Sequence, residues 1–133
     1  MKQIKMILIV FLLIKSCSIN GNLLEIKFED IFNVKENKYV VYFYSSTCRA
    51  CLDTLELLNK RYLIEKYPGF LVKTNNIDIT FKEEKVSNLD VTKYQDIVIS
   101  SVPYLVFVDE KRIVKELFGY SEIHKENLYI FFE

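Results

Sequence analysis

Two of the three cysteines in the chain, Cys48 and Cys51, are separated only by Arg49 and Ala50. If such a pair lies at the start of a helix, the second sulfur follows the first by about one turn, so that the two can close a small ring. The thiolate is the species that attacks a disulfide, and an unperturbed cysteine has a pKa of about 8.5. A helix N-terminus and a neighbouring arginine both favour the thiolate. The pair therefore indicates thiol–disulfide exchange chemistry.

Other residues that carry chemistry are sparse. His124 is the only histidine, and we interpret it as a solvated surface residue of the last helix. Cys48, Cys51 and His124 could supply three zinc ligands, but their spacing does not favour a zinc site, so we predict no metal and no cofactor. The 18 basic and 18 acidic side chains balance and form no long block of one sign, which argues against a nucleic-acid partner.

The residues around the cysteine pair have the pattern of a strand, a turn and a helix. Residues 39–44, YVVYFY, are aromatic or β-branched on both faces, as in a strand buried within a sheet. A polar turn over residues 45–47 follows, and a helix is predicted to begin at the CxxC. Its apolar residues recur at helical spacing and are Leu52, Leu55, Leu58 and Tyr62. Pro68-Gly69 marks its end.

The rest of the chain alternates between predicted helices and strands. In chain order these are a helix over residues 28–37, a strand from residues 70–72 toward Ile77 and Ile79, a loop with one short helix over residues 81–95, strands over residues 104–108 and 112–118, and a last helix. Ser121 should cap that helix, with Ile123, Leu128 and Phe131 on its buried side. This order predicts an α/β fold with a mixed central sheet and helices on both faces.

A strand that runs into a CxxC helix, followed later by Val102-Pro103 and a strand–turn–strand–glycine–helix ending, resembles the thioredoxin superfamily. The resemblance covers residues 25–133 and implies a thioredoxin-like fold. It implies that Pro103 is the cis-proline beside the dithiol and that the Val102 backbone pairs with an extended substrate segment. Cys48 would be the exposed nucleophile and Cys51 the resolving thiol, joined as a Cys48–Cys51 disulfide in the oxidised form, with Arg49 beside the bound substrate.

Three features depart from that family's pattern. Thr47 stands where a tryptophan usually precedes the first cysteine, and the chain contains no tryptophan. Tyr42 occupies the position of a buried acid that helps to deprotonate the second cysteine. The segment over residues 78–103 is longer than in a minimal thioredoxin. These departures favour a divergent, exported relative over a general cytosolic thioredoxin.

The N-terminus has the pattern of an export signal. Two lysines within residues 1–5 precede the apolar run of residues 6–14, which is too short for a typical membrane-spanning helix. Ile14-Lys15-Ser16-Cys17 resembles a bacterial lipobox, although Lys15 stands where a small or apolar residue is usual. We predict a signal peptide over residues 1–16, lipidation of Cys17, a tether over residues 17–24 and a domain over residues 25–133. Ordinary cleavage and an uncleaved anchor are the alternatives.

Together these features predict a thiol–disulfide oxidoreductase that acts outside the cytoplasm, in the periplasm or on the outer face of the cytoplasmic membrane. Its partners would be protein thiols or disulfides and a membrane redox protein. The direction of electron transfer stays open, because Arg49-Ala50 matches neither the reducing nor the strongly oxidising members of the family. The alternative is a non-catalytic binding or structural lipoprotein in which Cys48–Cys51 is an inert disulfide.

Overall fold

In a computed structural model that describes residues 23–60, 67–75, 77 and 84–125, the aromatic segment forms the central strand β2 (Lys38–Tyr44). Every residue of β2 after Lys38 is buried, because both faces of the sheet are covered. The strand pairs in parallel with β3 (Gly69–Lys73) and antiparallel with β4 (Tyr104–Asp109). The pattern of residues 39–44 therefore predicted the centre of the fold correctly.

Two further strands, β1 (Leu24–Glu25) and β5 (Arg112–Phe118), complete a mixed five-stranded sheet with the order β1-β3-β2-β4-β5. The short strand β1 (Leu24–Glu25) pairs in parallel with β3, so the sheet starts one residue before the predicted domain boundary. At the other edge, β5 (Arg112–Phe118) returns antiparallel to β4 through a tight turn. Glu110 and Lys111 have positive φ angles of 49° and 60° in that turn.

The two faces of the sheet are covered differently. The helices α1 (Arg49–Lys60) and α2 (Gly119–Lys125) contact each other and pack on one face, against a buried cluster that includes Tyr42, Leu58 and Ile123. The opposite face is covered by two 3₁₀ helices, Phe28–Asp30 and Tyr94–Asp96, and by the loop around them. The predicted α/β class with a mixed sheet is confirmed.

The predicted helix over residues 28–37 is shorter than expected. Its backbone N–H groups donate to carbonyls three residues back, as from Asp30 to Lys27 and from Ile31 to Phe28, which is 3₁₀ geometry. The buried Tyr39 hydroxyl donates to the carbonyl of Ile31, a group that a continuing α-helix would use for its own ladder. The prediction of a helix through residue 37 was wrong for this reason.

Two other boundaries also differ. β3 ends at Lys73 rather than near Ile77, because the chain turns back where the Ile77 N–H donates to the Thr74 carbonyl. The last helix begins at Gly119, two residues before the predicted cap at Ser121. Its first turn is capped by Glu122, whose carboxylate accepts the Phe118 N–H at 2.6 Å.

Several sequence predictions fall outside the described residues. They are the signal peptide over residues 1–16, Cys17, most of the tether over residues 17–24, and the buried roles of Tyr62, Ile79, Leu128 and Phe131. Over the described segments, neither helix has the length and apolar character that crossing a membrane requires.

Candidate active site

Cys48 lies at the N-cap position, immediately before α1. Its backbone N–H donates to the Ser45 carbonyl at 3.2 Å, and its carbonyl accepts the Leu52 N–H at 3.2 Å as the first bond of the helix. The Cys51 N–H donates to Cys48 Sγ at 3.1 Å. The sulfur thus accepts the bond that a serine or aspartate side chain usually accepts at an N-cap. A thiolate at Cys48 would be stabilised by this donor and by the positive end of the helix dipole.

Cys48 and Cys51 are joined by a disulfide, with their Cα atoms 5.2 Å apart. Cys48 is half-buried, whereas Cys51 is 0% exposed on the inner face of α1. Cys48 is therefore the more accessible of the two residues to a partner that approaches from solvent. In thiol–disulfide exchange, the more accessible sulfur attacks and the more buried one resolves the mixed disulfide.

The Val102–Pro103 peptide bond is cis, as the resemblance implied. β2 and β4 are antiparallel, and Phe43 near the end of β2 pairs with Tyr104 at the start of β4. The residues before β4 therefore lie at the same end of the sheet as the residues that follow β2 and lead to Cys48. The Pro103 carbonyl accepts the Gly119 N–H at 2.9 Å, which links it to the start of α2. Val102 and Cys48 both pack at the margin of the same buried cluster. The fold thus brings together residues that are 54 positions apart in the sequence.

The Arg49 side chain points into solvent, with 88% of it exposed, and forms an ion pair with Asp53 at 3.5 Å. Asp53 lies one turn further along α1, and its carboxylate offsets the positive charge of the guanidinium. Screening by water weakens what remains. The positive charge that Arg49 presents beside the dithiol is therefore partly offset.

Thr47 takes part in a hydrogen-bonded turn between β2 and α1. Its hydroxyl lies 3.0 Å from that of Ser45. The neighbouring Ser46 N–H donates to Asn75 Oδ1 at 3.0 Å, and the Asn75 amide donates to Ser46 Oγ at 2.8 Å. Polar contacts hold this turn next to the end of β3, at the position where a tryptophan was expected from the resemblance.

Tyr42, at the position expected for a buried acid, donates its hydroxyl to the Cys51 carbonyl at 2.7 Å. Burial raises the pKa of this phenol well above its ordinary range, and the nearby Tyr44 raises it further, so Tyr42 stays protonated and cannot serve as a base. Within the described parts of the chain, the buried polar side chains are Thr54, Thr74, Asn88 and Ser100, and no carboxylate is among them.

His124 is not the solvated surface residue that the sequence suggested. It is half-buried, its ring stacks on that of Tyr120 with centroids 3.6 Å apart, and its Nε2 lies 3.4 Å from the Thr54 hydroxyl. Thr54 is fully buried on the inner face of α1. The spacing of Cys51, Thr54 and Leu58 along the helix places Thr54 on that face. Its contact with His124, 70 residues away, could come only from the fold.

A second buried polar cluster was also missed. The Asn88 amide donates to the Val98 carbonyl at 2.9 Å and to the Tyr104 hydroxyl at 2.8 Å, and its oxygen accepts the Val98 N–H at 2.8 Å. The Tyr104 hydroxyl in turn donates to the Glu116 carboxylate at 2.5 Å. These bonds fix the loop before Val102 against β4 and β5. In the described ranges, no three His, Cys, Asp or Glu side chains cluster as metal ligands do.

No family model and no curated protein sequence matches the chain. Among solved structures, it is similar to thioredoxin f2 of Chlamydomonas reinhardtii, with 18% identity, a TM-score of 0.50 and coverage of 74% of this chain and 85% of that one. It is also similar to the oxidised form of mitochondrial thioredoxin 3 from Saccharomyces cerevisiae, with 13% identity, a TM-score of 0.52 and coverage of 76% and 87%. The long form of spinach chloroplast thioredoxin f gives 20% identity, a TM-score of 0.51 and coverage of 77% and 79%.

Proposed function

Because this chain has the thioredoxin fold and carries a disulfide at the N-terminus of α1, we propose that it is a thiol–disulfide oxidoreductase. The observation that carries the proposal is the asymmetric environment of the two sulfurs. Cys48 is partly exposed and its sulfur accepts a backbone N–H, whereas Cys51 is fully buried. A purely structural crosslink does not need one accessible sulfur at a helix N-terminus.

In the proposed reaction, the Cys48 thiolate attacks a sulfur of a protein disulfide and releases the first substrate thiolate. Cys51 then loses its proton, and its thiolate attacks Cys48 Sγ. The Cys48–Cys51 bond forms, the mixed disulfide breaks, and the second substrate thiolate leaves. Two electrons pass from the dithiol to the substrate, whose thiolates take up two protons. The same steps run in reverse when a substrate dithiol is oxidised.

Val102, Pro103 and Arg49 are proposed to contact the substrate. In the described part of the chain, the Val102 backbone forms no hydrogen bond with other backbone groups, and Pro103 has no N–H, so an extended segment could pair at Val102. Arg49 projects from the rim of the site and suits a substrate that carries acidic groups near its disulfide.

We propose further that the protein works outside the cytoplasm, attached to the membrane through a lipid on Cys17, and exchanges electrons with a membrane redox protein. The apolar run after the N-terminal lysines and the lipobox-like Ile14-Lys15-Ser16-Cys17 support this location. Consuming Cys17 would leave the cysteine pair of the CxxC. Mass spectrometry of the mature protein tests the proposal, and an unmodified Cys17 would contradict it.

The redox function is tested by equilibrating the purified domain with glutathione buffers and trapping the thiols. A working exchanger should have a potential between about −270 and −120 mV, whereas a value below about −300 mV would indicate an inert structural disulfide. The same measurement fixes the direction of transfer against the potential of the compartment.

Trapping of partners provides a second test in cells. Cys51→Ser should accumulate mixed disulfides on Cys48, because the thiol that resolves them is missing. Cys48→Ser is the matched control and should accumulate none. If Cys51→Ser captures no partner through Cys48, the exchange function is contradicted, and a binding or structural role becomes the better description.

A further inference from the structure

The segment that contains Val102 and Pro103 is held on both sides by one buried hydrogen-bond network. Before the segment, the backbone N–H and carbonyl of Val98 bond to the Asn88 side chain at 2.8 and 2.9 Å. After the segment, the Tyr104 hydroxyl accepts a bond from the same Asn88 amide at 2.8 Å. Asn88 and Tyr104 are both almost fully buried. A single side chain therefore fixes the chain on either side of Val102.

Glu116 on β5 completes this network. Its carboxylate accepts the Tyr104 hydroxyl at 2.5 Å and the Asn88 backbone N–H at 2.9 Å, and it also accepts the Ser87 hydroxyl. All three groups donate, as an acceptor-only carboxylate requires. Burial, and then the bond to Glu116, raises the pKa of the Tyr104 phenol, so its single hydrogen stays available for that bond. One half-buried carboxylate thus holds both Asn88 and Tyr104.

Packing carries this constraint to Val102. Tyr104 pairs with Phe118 across β4 and β5, and their rings stack with centroids 4.8 Å apart. Val102 packs against the buried cluster that contains Tyr104. The Pro103 carbonyl accepts the N–H of Gly119, the residue after Phe118. Since Val102 forms no backbone hydrogen bond of its own within the described residues, its position depends on these neighbours.

We propose that Tyr104 and Glu116 are positioning residues for substrate binding, because they fix the Val102 backbone where an extended substrate segment pairs with it. The inference deepens the proposed oxidoreductase function and rests on it. A main-chain hydrogen bond weakens steeply when its distance or angle changes, so a small displacement of Val102 weakens the pairing. The network therefore favours extended polypeptide disulfides over disulfides that have no peptide backbone.

Two peptides separate this effect from the reactivity of Cys48. The probe is a short unstructured peptide with one central cysteine, joined by a disulfide to nitrothiobenzoate, a coloured aromatic thiolate. Attack by the Cys48 thiolate on the peptide sulfur forms the mixed disulfide and releases nitrothiobenzoate, which stopped-flow absorbance records. In the control peptide, the backbone amides of the cysteine and its two neighbours are N-methylated. This change removes the donors that pair with Val102 and keeps the disulfide.

The reduced unaltered domain should react about fivefold to tenfold faster with the probe than with the N-methylated control, the effect of one hydrogen bond. Tyr104→Phe keeps the ring but removes the hydroxyl between Glu116 and Asn88, so the two peptides should react at nearly equal rates. Glu116→Leu should have the same effect. Glu116→Gln should keep the preference, because its amide oxygen can accept from Tyr104 and Asn88 while its amide donates to the Ser87 oxygen.

Thermal unfolding of the oxidised variants checks that they fold. A full preference for the probe in Tyr104→Phe would overturn the positioning role, and so would a preference as low in Glu116→Gln as in Glu116→Leu. If Tyr104→Phe does not fold, the two Glu116 variants decide, because Glu116 is only half-buried.

The unaltered domain distinguishes this failure from that of the proposed function. Equal rates with the two peptides would show that Val102 does not pair with the substrate backbone, which also overturns the positioning role. A reduced domain that releases nitrothiobenzoate from neither peptide would instead contradict the proposed exchange function.

Discussion

Asn88→Ala should destabilise the domain strongly, because Asn88 connects the long loop before Val102 to the sheet. Asn88 is 1% exposed, and its side chain forms three hydrogen bonds of 2.8 to 2.9 Å with Val98 and Tyr104. Alanine removes all three and leaves the two backbone groups of Val98 without these partners in a half-buried position.

The size of the effect follows from the number of bonds. Each intramolecular hydrogen bond contributes about 1 kcal/mol, and a buried group left without a partner costs more. The expected loss is therefore about 3 kcal/mol in the free energy of unfolding. For a domain of this length, that corresponds to a fall in Tm of about 10 to 20 °C. Asn88→Asp should cost at least as much, because it removes both amide donors and buries a carboxylate.

Guanidinium unfolding of the oxidised domain, followed by tyrosine fluorescence, measures the change. Asn75→Ala is the matched control, because the Asn75 side chain also forms two hydrogen bonds, both with Ser46. Asn75 is exposed, so water can replace these bonds in the variant. We expect less than about 1 kcal/mol for the control. If Asn88→Ala costs no more than Asn75→Ala, burial does not amplify these bonds and the reasoning is wrong.

Three further predictions concern pH, backbone conformation and charge. Burial raises the pKa of Tyr39 to about 12 from 10.0, so the protonated phenol stabilises the fold fully below pH 10, and the stabilisation is lost as pH rises from 10 to 12. The free energy of unfolding should fall by about 1.4 kcal/mol per pH unit in that range for each such tyrosine, and a free energy that does not change with pH would contradict this role of burial. Gly119→Ala should lower the free energy of unfolding by about 1 to 2 kcal/mol, because φ is +81° at this residue and an L side chain is strained there. A methyl group would meet no atom within 4 Å, so the loss comes from the backbone alone, and an unchanged Tm would show that the strain is relieved elsewhere. Arg49→Gln should leave the pKa of the reduced Cys48 thiol within about 0.5 of its original value, since the guanidinium is exposed and paired with Asp53. Alkylation by iodoacetamide as a function of pH measures this pKa, and a larger rise in the pKa would show that Arg49 strongly stabilises the thiolate.

Local patterns predicted the elements that present the cysteines. A strand with an unbroken run of aromatic and β-branched residues can bury the side chains of both its faces only inside a covered sheet. This pattern identified β2. Apolar residues at helical spacing after Cys48 identified α1, but its buried face differs from the predicted one, because Leu52 is exposed and Cys51, Thr54 and Leu58 are buried. The predicted helix over residues 28–37 failed because its apolar spacing was compatible with a helix, whereas a tertiary bond from Tyr39 to Ile31 ended the ladder after one turn.

The sequence by itself therefore determined the dithiol, the strand and helix around it, and the mixed α/β order, since each depends on contacts between near neighbours in the chain. The surroundings of Cys51 depended on the tertiary structure. Thr54 and His124 are 70 residues apart, and Tyr42 reaches Cys51 only because α1 folds back over β2. Hydrogen bonds between distant side chains leave no periodic trace in a sequence. The sequence alone consequently located the cysteine pair, whereas the fold decided which groups lie behind Cys51.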